Sequence, residues 1–152
     1  MADASIFGPV DGVLAAELGV ADVIVIEAAI LVLVVVNLAT RKVANDRHRR
    51  QAQQDAEAIT RFLPHEVLNV LVVLASFYYM TVAHHAGMVM SVLALGVFLS
   101  DFFEFEARKV EARRDIPIDQ PKGAIVASML ALAYAAFQTL FFIIEGPFNA
   151  IV

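Results

Sequence analysis

The sequence predicts an all-α integral membrane protein, a four-helix bundle with both termini outside and helical cytoplasmic extensions. Three observations carry that expectation. First, 60% of the 152 residues are hydrophobic and the mean hydropathy is +0.73, whereas a soluble domain holds about 45–50% apolar residues even with glycine counted. Second, four stretches, about 23–40, 65–84, 87–107 and 123–144, each approach the roughly 20 apolar residues that a span needs. Third, every Lys and Arg lies in one of two connections, six from Arg41 to Arg61 and five from Arg108 to Lys122. The positive-inside rule puts both connections in the cytoplasm and both termini on the other side. The length fits one domain, residues 1–152.

The elements follow in order. The first 22 residues contain no Lys or Arg, so no cleaved signal peptide is expected. "VDGVLAAEL" fits a short interfacial helix with Val10, Val13, Leu14 and Leu18 toward lipid, and equally an ordered surface turn. The first span ends in "RKVANDRHRRQAQQDAEAITRFLP", whose mixed charges at helical spacing predict that the helix runs on into the cytoplasm. "HHAG" between spans two and three reads as a tight turn with Gly87 in a left-handed conformation. Pro64, Pro117, Pro121 and Pro147 are placed in connections or at helix ends.

The third span poses the main question. "GMVMSVLALGVFLSDFFEFEAR" passes from apolar residues into acids with no turn residue between. Gly87 to Ser100 is only about 21 Å of helix, against a hydrocarbon core of about 30 Å. Asp101 and Glu104 therefore fall within the cytoplasmic edge of the core. Acids there are costly, and they must face protein or a polar cavity. Asp101, Glu104 and Arg108 share one helix face, below Met90, Ala94 and Val97, while Phe98, Phe102 and Phe105 form a neighbouring face toward lipid or a partner chain. The other spans carry matching stripes: Glu27, Ile30, Val34 and Asn37; His65, Asn69, Val72, Ser76 and Tyr79; and Ala127, Ala131, Tyr134, Gln138 and Glu145. The candidate intramembrane polar cluster is Glu27, Asn37, Asp101, Glu104, Arg108 and Gln138. His65 is a candidate contact for a quinone or a lipid headgroup.

Several chemistries are disfavoured. The absence of cysteine excludes disulfides and thiolate sites. The net charge of −5 does not suggest a nucleic-acid surface, and the basic run reads as a topology signal with headgroup contact. Histidines lie at the ends of the second span and in the basic loop alone, so one chain cannot offer a bis-His haem between two helices. No phosphate-binding loop, His-Glu-x-x-His or nucleophile triad is present. No enzyme, cofactor or metal site is expected. Lysine is scarce beside arginine, a balance compatible with a salt-adapted organism.

The segment "ASFYYMTVAHHAGMVMSVLALGVFLSDFFEFEARKVEARRD", with "PKGAIVASMLALAYAAFQ" after it, resembles a family of small uncharacterised four-span membrane proteins of halophilic archaea. The likeness covers roughly Arg41 to the C-terminus, and "DFFEFEARKVEAR" is its most distinctive part. That family carries no established activity and hence no functional residues to transfer. The resemblance implies an association with respiratory complexes of the cytochrome bc type. The expectation is a non-catalytic accessory or structural subunit in the plasma membrane, surrounded by lipid and by other subunits, cytochrome b-like ones included. The alternative is a small proton, ion or solute carrier using Glu27, Asp101 and Glu104. Glu27 in a first short span is loosely similar to the small multidrug-resistance transporters, whose aromatic pattern and balanced orientation the sequence lacks.

Overall fold

The computed structural model describes residues 7–20 and 22–151; the expectation for the first six residues lies outside this range. Among the described residues the fold is all-α, apart from one bridge pair, Glu17 with Ile24. A short helix α1 (Pro9–Leu14) precedes four long ones: α2 (Val25–Gln54), α3 (Leu63–Val82), α4 (His84–Arg113) and α5 (Lys122–Asn149). A single 3₁₀ turn, Ala56–Ala58, lies between α2 and α3. Three of the helices, α3, α4 and α5, are long and apolar enough to cross a membrane. The apolar part of α2 is shorter, bounded by Glu27 and Arg41.

α2 packs on α3 and α5, and α4 packs on the same two helices. The cross-helix bonds fix the directions. Glu27, Asn37 and Thr40 of α2 meet Tyr79, Asn69 and His65 of α3 in descending order, so these two run antiparallel. Arg41 and His48 meet Asp101 and Arg108 of α4 in ascending order, so α2 and α4 run parallel. Each of these two helices has 30 residues, or about 45 Å. Both therefore overhang α3 at the same, basic, end of the bundle. The continuation of α2 through the charged segment to Gln54 agrees with the helical extension read from the sequence.

Two apolar clusters result. The larger joins all four long helices and includes Ile26, Ile30, Val34, Val72, Tyr79, Met90, Ala94, Val97, Ala131 and Ala135. The smaller lies under the overhang and gathers Ile59, Phe105, Ala112 and Ile118. On α4 the step from one cluster to the other runs from Val97 to Phe105, and Asp101 lies between them.

Three local expectations need correction. "HHAG" is not the turn between the second and third apolar segments. Ala83 alone separates α3 from α4, and His84 to Gly87 form the first turn of α4. Gly87 is helical, and its role is steric: a Cβ there would collide with the backbone N and Cα of Met80. The one-residue corner forces the two backbones together, and only glycine leaves room. Pro147 does not end α5, which runs on to Asn149. Phe105 does not share the outer face of Phe102; it is 5% exposed and fills the smaller core. α4 then stops at a Schellman-type end. Asp115 takes a left-handed conformation (φ 54°), and Ile116 N–H reaches back to Glu111 O at 2.9 Å.

The buried face of α3 is the stripe read from the sequence, His65, Asn69, Val72, Ser76 and Tyr79. The buried face of α5 is turned from expectation. It consists of Ala124, Ser128, Ala131, Ala135 and Thr139, with Tyr134 and Gln138 half-buried and Glu145 exposed. Small residues let helix backbones approach closely, so packing selects them over the larger polar ones. Of the α1 residues read as lipid-facing, Val10 and Val13 are exposed, as is Leu18 beyond it, and Leu14 packs against the main core.

Gly87→Ala is expected to lower stability by about 3 kcal/mol or more, because the colliding atoms are backbone. Gly96→Ala meets open space and is expected to be neutral or slightly stabilising. Thermal or detergent-induced unfolding of the two variants measures the contrast.

Candidate functional site

The candidate site is a buried polar layer between the two apolar clusters. α2 brings Asn37, Thr40 and Arg41 to it, α3 brings His65 and Asn69, and α4 brings Asp101. The apolar stripe of α2 steps from Ile26 through Ile30 and Val34 to Asn37, Arg41 and His48, so helical periodicity carries the polar groups inward beneath the core. Arg41 is 3% exposed. Its Nη2 donates to Asp101 Oδ2 at 2.7 Å and to Asn37 Oδ1 at 2.9 Å. Asn37 Nδ2 donates to Asn69 Oδ1 at 2.6 Å. The bonds therefore run from α4 through α2 to α3.

His65 closes the ring. Its Nε2 lies 2.9 Å from Asp101 Oδ2 and its Nδ1 2.9 Å from Thr40 Oγ1. An ionised carboxylate only accepts, so Nε2 carries a proton. Thr40 has one hydroxyl hydrogen and two neighbours to receive it, His65 Nδ1 and Asn37 O at 3.0 Å. Given to Nδ1, it leaves a neutral ring. Given to the carbonyl, it requires a proton on Nδ1 and a cationic ring. The charge of His65 and the direction of the Thr40 hydroxyl are one variable.

Beneath this layer lies a second set of contacts. His48 Nε2 meets Thr60 O at 3.0 Å, and its Nδ1 meets Arg108 Nη1 at 2.9 Å. The carbonyl must accept and the guanidinium must donate, so His48 is neutral with its proton on Nε2. Burial first, and the Arg108 charge second, push the His48 imidazole down to about 4. Phe105 packs edge-on against His48, and the Arg61 guanidinium stacks over Phe105 at 4.2 Å. Glu104 Oε1 accepts from Ala124 N at 3.1 Å, at the start of α5. A carboxylate there takes up one of the free N–H groups and opposes the helix dipole.

Glu27 sits about 21 Å of helix from Arg41, at the opposite end. Its Oε2 accepts from Ile24 N at 3.2 Å and its Oε1 from Tyr79 Oη at 2.6 Å. It caps its own helix and ties it to α3. A cavity of about 10 Å³ lies beside it, lined by Tyr79, Tyr134 and Gln138 among others, at or below the volume that one water needs.

Residues 2–152 match the model of a domain of unknown function, DUF7313. The chain belongs to that family. No curated protein and no solved structure matches it.

The DUF7313 chain thus does not gather the six candidate residues into one cluster. Asn37 and Asp101 meet in the central layer through Arg41. Glu104 and Arg108 lie one and two turns further on, with Nη2 and Oε2 4.0 Å apart, and Arg108 is held more closely by His48. Glu27 and Gln138 line the small cavity at the other end. His65 faces inward onto Asp101 and is 5% exposed, which leaves it little surface for a headgroup or a quinone. Sequence reasoning missed Arg41 and His48, because both stand in a basic run that a topology signal accounts for. The signal that finds them is the stripe Val34, Asn37, Arg41, Ala44 and His48, which keeps its period into the charged segment.

Asp101→Ala leaves a buried guanidinium without its counter-charge, and a loss of about 3–5 kcal/mol is expected. Asp101→Leu combined with Arg41→Met is expected to recover much of that, as reversible unfolding in detergent would show. The His48 prediction concerns pH. Its folded value lies below the ordinary histidine value of about 6.5, so the unfolded chain binds more protons between the two. The contribution of His48 is therefore complete above about pH 6.5 and is lost as pH falls toward about 4. Hydrogen exchange in the α2 overhang should accelerate over that window, and His48→Gln should flatten the dependence.

Proposed function

We propose that this DUF7313 protein is a four-span membrane protein with both termini outside, serving as a non-catalytic structural subunit of a larger membrane assembly. One observation supports it above the others: the three carboxylates that a carrier would use, Glu27, Asp101 and Glu104, are all committed within the chain. Asp101 holds Arg41 and His65, Glu104 caps α5, and Glu27 holds Tyr79 and its own helix start. A carrier needs an acid that exchanges partners along a wet path, and the interior beside Glu27 has no room for one. The carrier reading has correspondingly less support.

The fourth span is supported by where α2 spends its charge. Arg41 turns inward to Asp101, leaving Val32, Val35 and Val36 exposed on the outer surface. Val92, Leu99, Phe103, Val126, Leu130 and Phe137 are exposed on α4 and α5. Such a surface suits lipid and apolar helices of partner subunits. The resemblance carried by "DFFEFEARKVEAR" favours a respiratory assembly of the cytochrome bc type.

The reading is tested in native membranes. The chain has no cysteine, so single cysteines report topology. Asn149→Cys should react with an impermeant thiol reagent in intact cells, and Gln53→Cys only after permeabilisation. Extraction in mild detergent should give a particle several times the 16.5 kDa chain, with stoichiometric redox subunits. A homo-oligomer without partners overturns the subunit role.

A further inference from the structure

We propose that the cavity where α2 meets the start of α5, at the basic end, binds a phosphate group, either in the head of an anionic lipid or as the free ion. The cavity measures about 360 Å³, and its polar lining comes mainly from one face of α2: Arg41, Lys42, Asn45, Asp46 and Arg49. Arg41, Asn45 and Arg49 recur every four residues and so project along one face.

The observation that demands a ligand is an unfinished Arg41. Its Nη2 is spent on Asn37 and Asp101. Its Nε and Nη1 are buried and have no partner, and the residue is 3% exposed. Arg49 Nε and Asn45 Oδ1 are buried without partners as well, and both residues contribute to the lining of the same cavity. Unsatisfied buried donors are rare in folded proteins because each forfeits its bonds to water. A guanidinium cannot accept or lose its proton, so only an acceptor completes it. Water would serve as an acceptor but would leave the surplus positive charge of the lining uncompensated. Arg41, Lys42 and Arg49 face one lining carboxylate, Asp46, with Asp101 opposing Arg41 from the far side. An anion with several acceptor oxygens answers both needs, and guanidinium groups match phosphate in fork geometry. Asn45 Oδ1 suits a neighbouring hydroxyl, on the phosphate or on a headgroup. Leu38 and Ile125 complete the lining with apolar surface, a place for the first carbons of a lipid. The lipid form rests on the membrane reading above and is independent of any partner subunit.

The full chain, purified in neutral detergent, is titrated with short-chain phosphatidylglycerol, short-chain phosphatidylcholine and inorganic phosphate. Binding is read by native mass spectrometry and by the thermal unfolding midpoint. One phosphatidylglycerol per chain is expected, with a raised midpoint and little response to phosphatidylcholine. Arg49→Ala should weaken binding about tenfold or more. Ile125→Phe should block the cavity without removing charge, and Arg113→Ala, whose partner Glu57 lies outside the lining, should bind like wild type. Equal or stronger binding of inorganic phosphate, lost in the same variants, assigns the site to the free ion. Absence of phosphate-dependent binding, equal response to phosphatidylcholine, or unchanged binding in both cavity variants overturns the proposal. The measurement uses the chain alone, so it stands or falls apart from the particle mass that tests the subunit role.

Discussion

The fold depends on one buried ion pair, Arg41 with Asp101. Apolar helix faces that meet lipid or one another are poor at fixing height and rotation, because sliding by a turn exchanges similar contacts. A guanidinium buried to 3% exposure is not so tolerant. It must find its carboxylate, and the carboxylate must also meet His65. Asn37 and Asn69 extend the same requirement to the α2–α3 contact. Burying such a pair costs desolvation that its attraction barely offsets. Its contribution lies in register: sliding α2 by one turn along α4 would carry Arg41 away from Asp101 and strand both charges.

The remaining acids serve the same end by capping. Glu27 holds the start of α2, and Glu104 holds the start of α5 across the helix packing. Gly123 fits beside that carboxylate, since a Cβ would come within 2.9 Å of Glu104 Oε1. Glu27 and Glu104, read along the sequence as candidate carrier acids, each hold a helix start in space. The basic overhang is organised by the same economy. His48 stays neutral so that it can accept from Arg108, and Phe105 turns inward to cover both His48 and Arg61.

The apolar interior was far more legible in the sequence than the polar layer. The α3 stripe could be read residue by residue, because both His65 and Asn69 stand out against a run of Val and Leu. The α5 face could not, because Ala and Ser are distributed nearly all round that helix and periodicity cannot choose among them. Close packing made the choice, rotating Ala124, Ser128 and Ala131 inward and leaving Tyr134 and Gln138 at the edge. Arg41 was hidden by its neighbours: within "RKVANDRHRR" nothing in the residue types separates a buried guanidinium from the four exposed or half-exposed bases Lys42, Arg47, Arg49 and Arg50.

The sequence by itself determined the all-α class, the apolar helices and the charge asymmetry between the two ends. These follow from composition and period, which are local properties. Tertiary structure alone decided that Gly87 serves a backbone contact, that Phe105 is core, and that Asp101 reaches sixty residues back to Arg41. Each of these depends on the distance between helices that are remote along the chain. Such distances are set jointly by all the packed faces, and no window of sequence contains them.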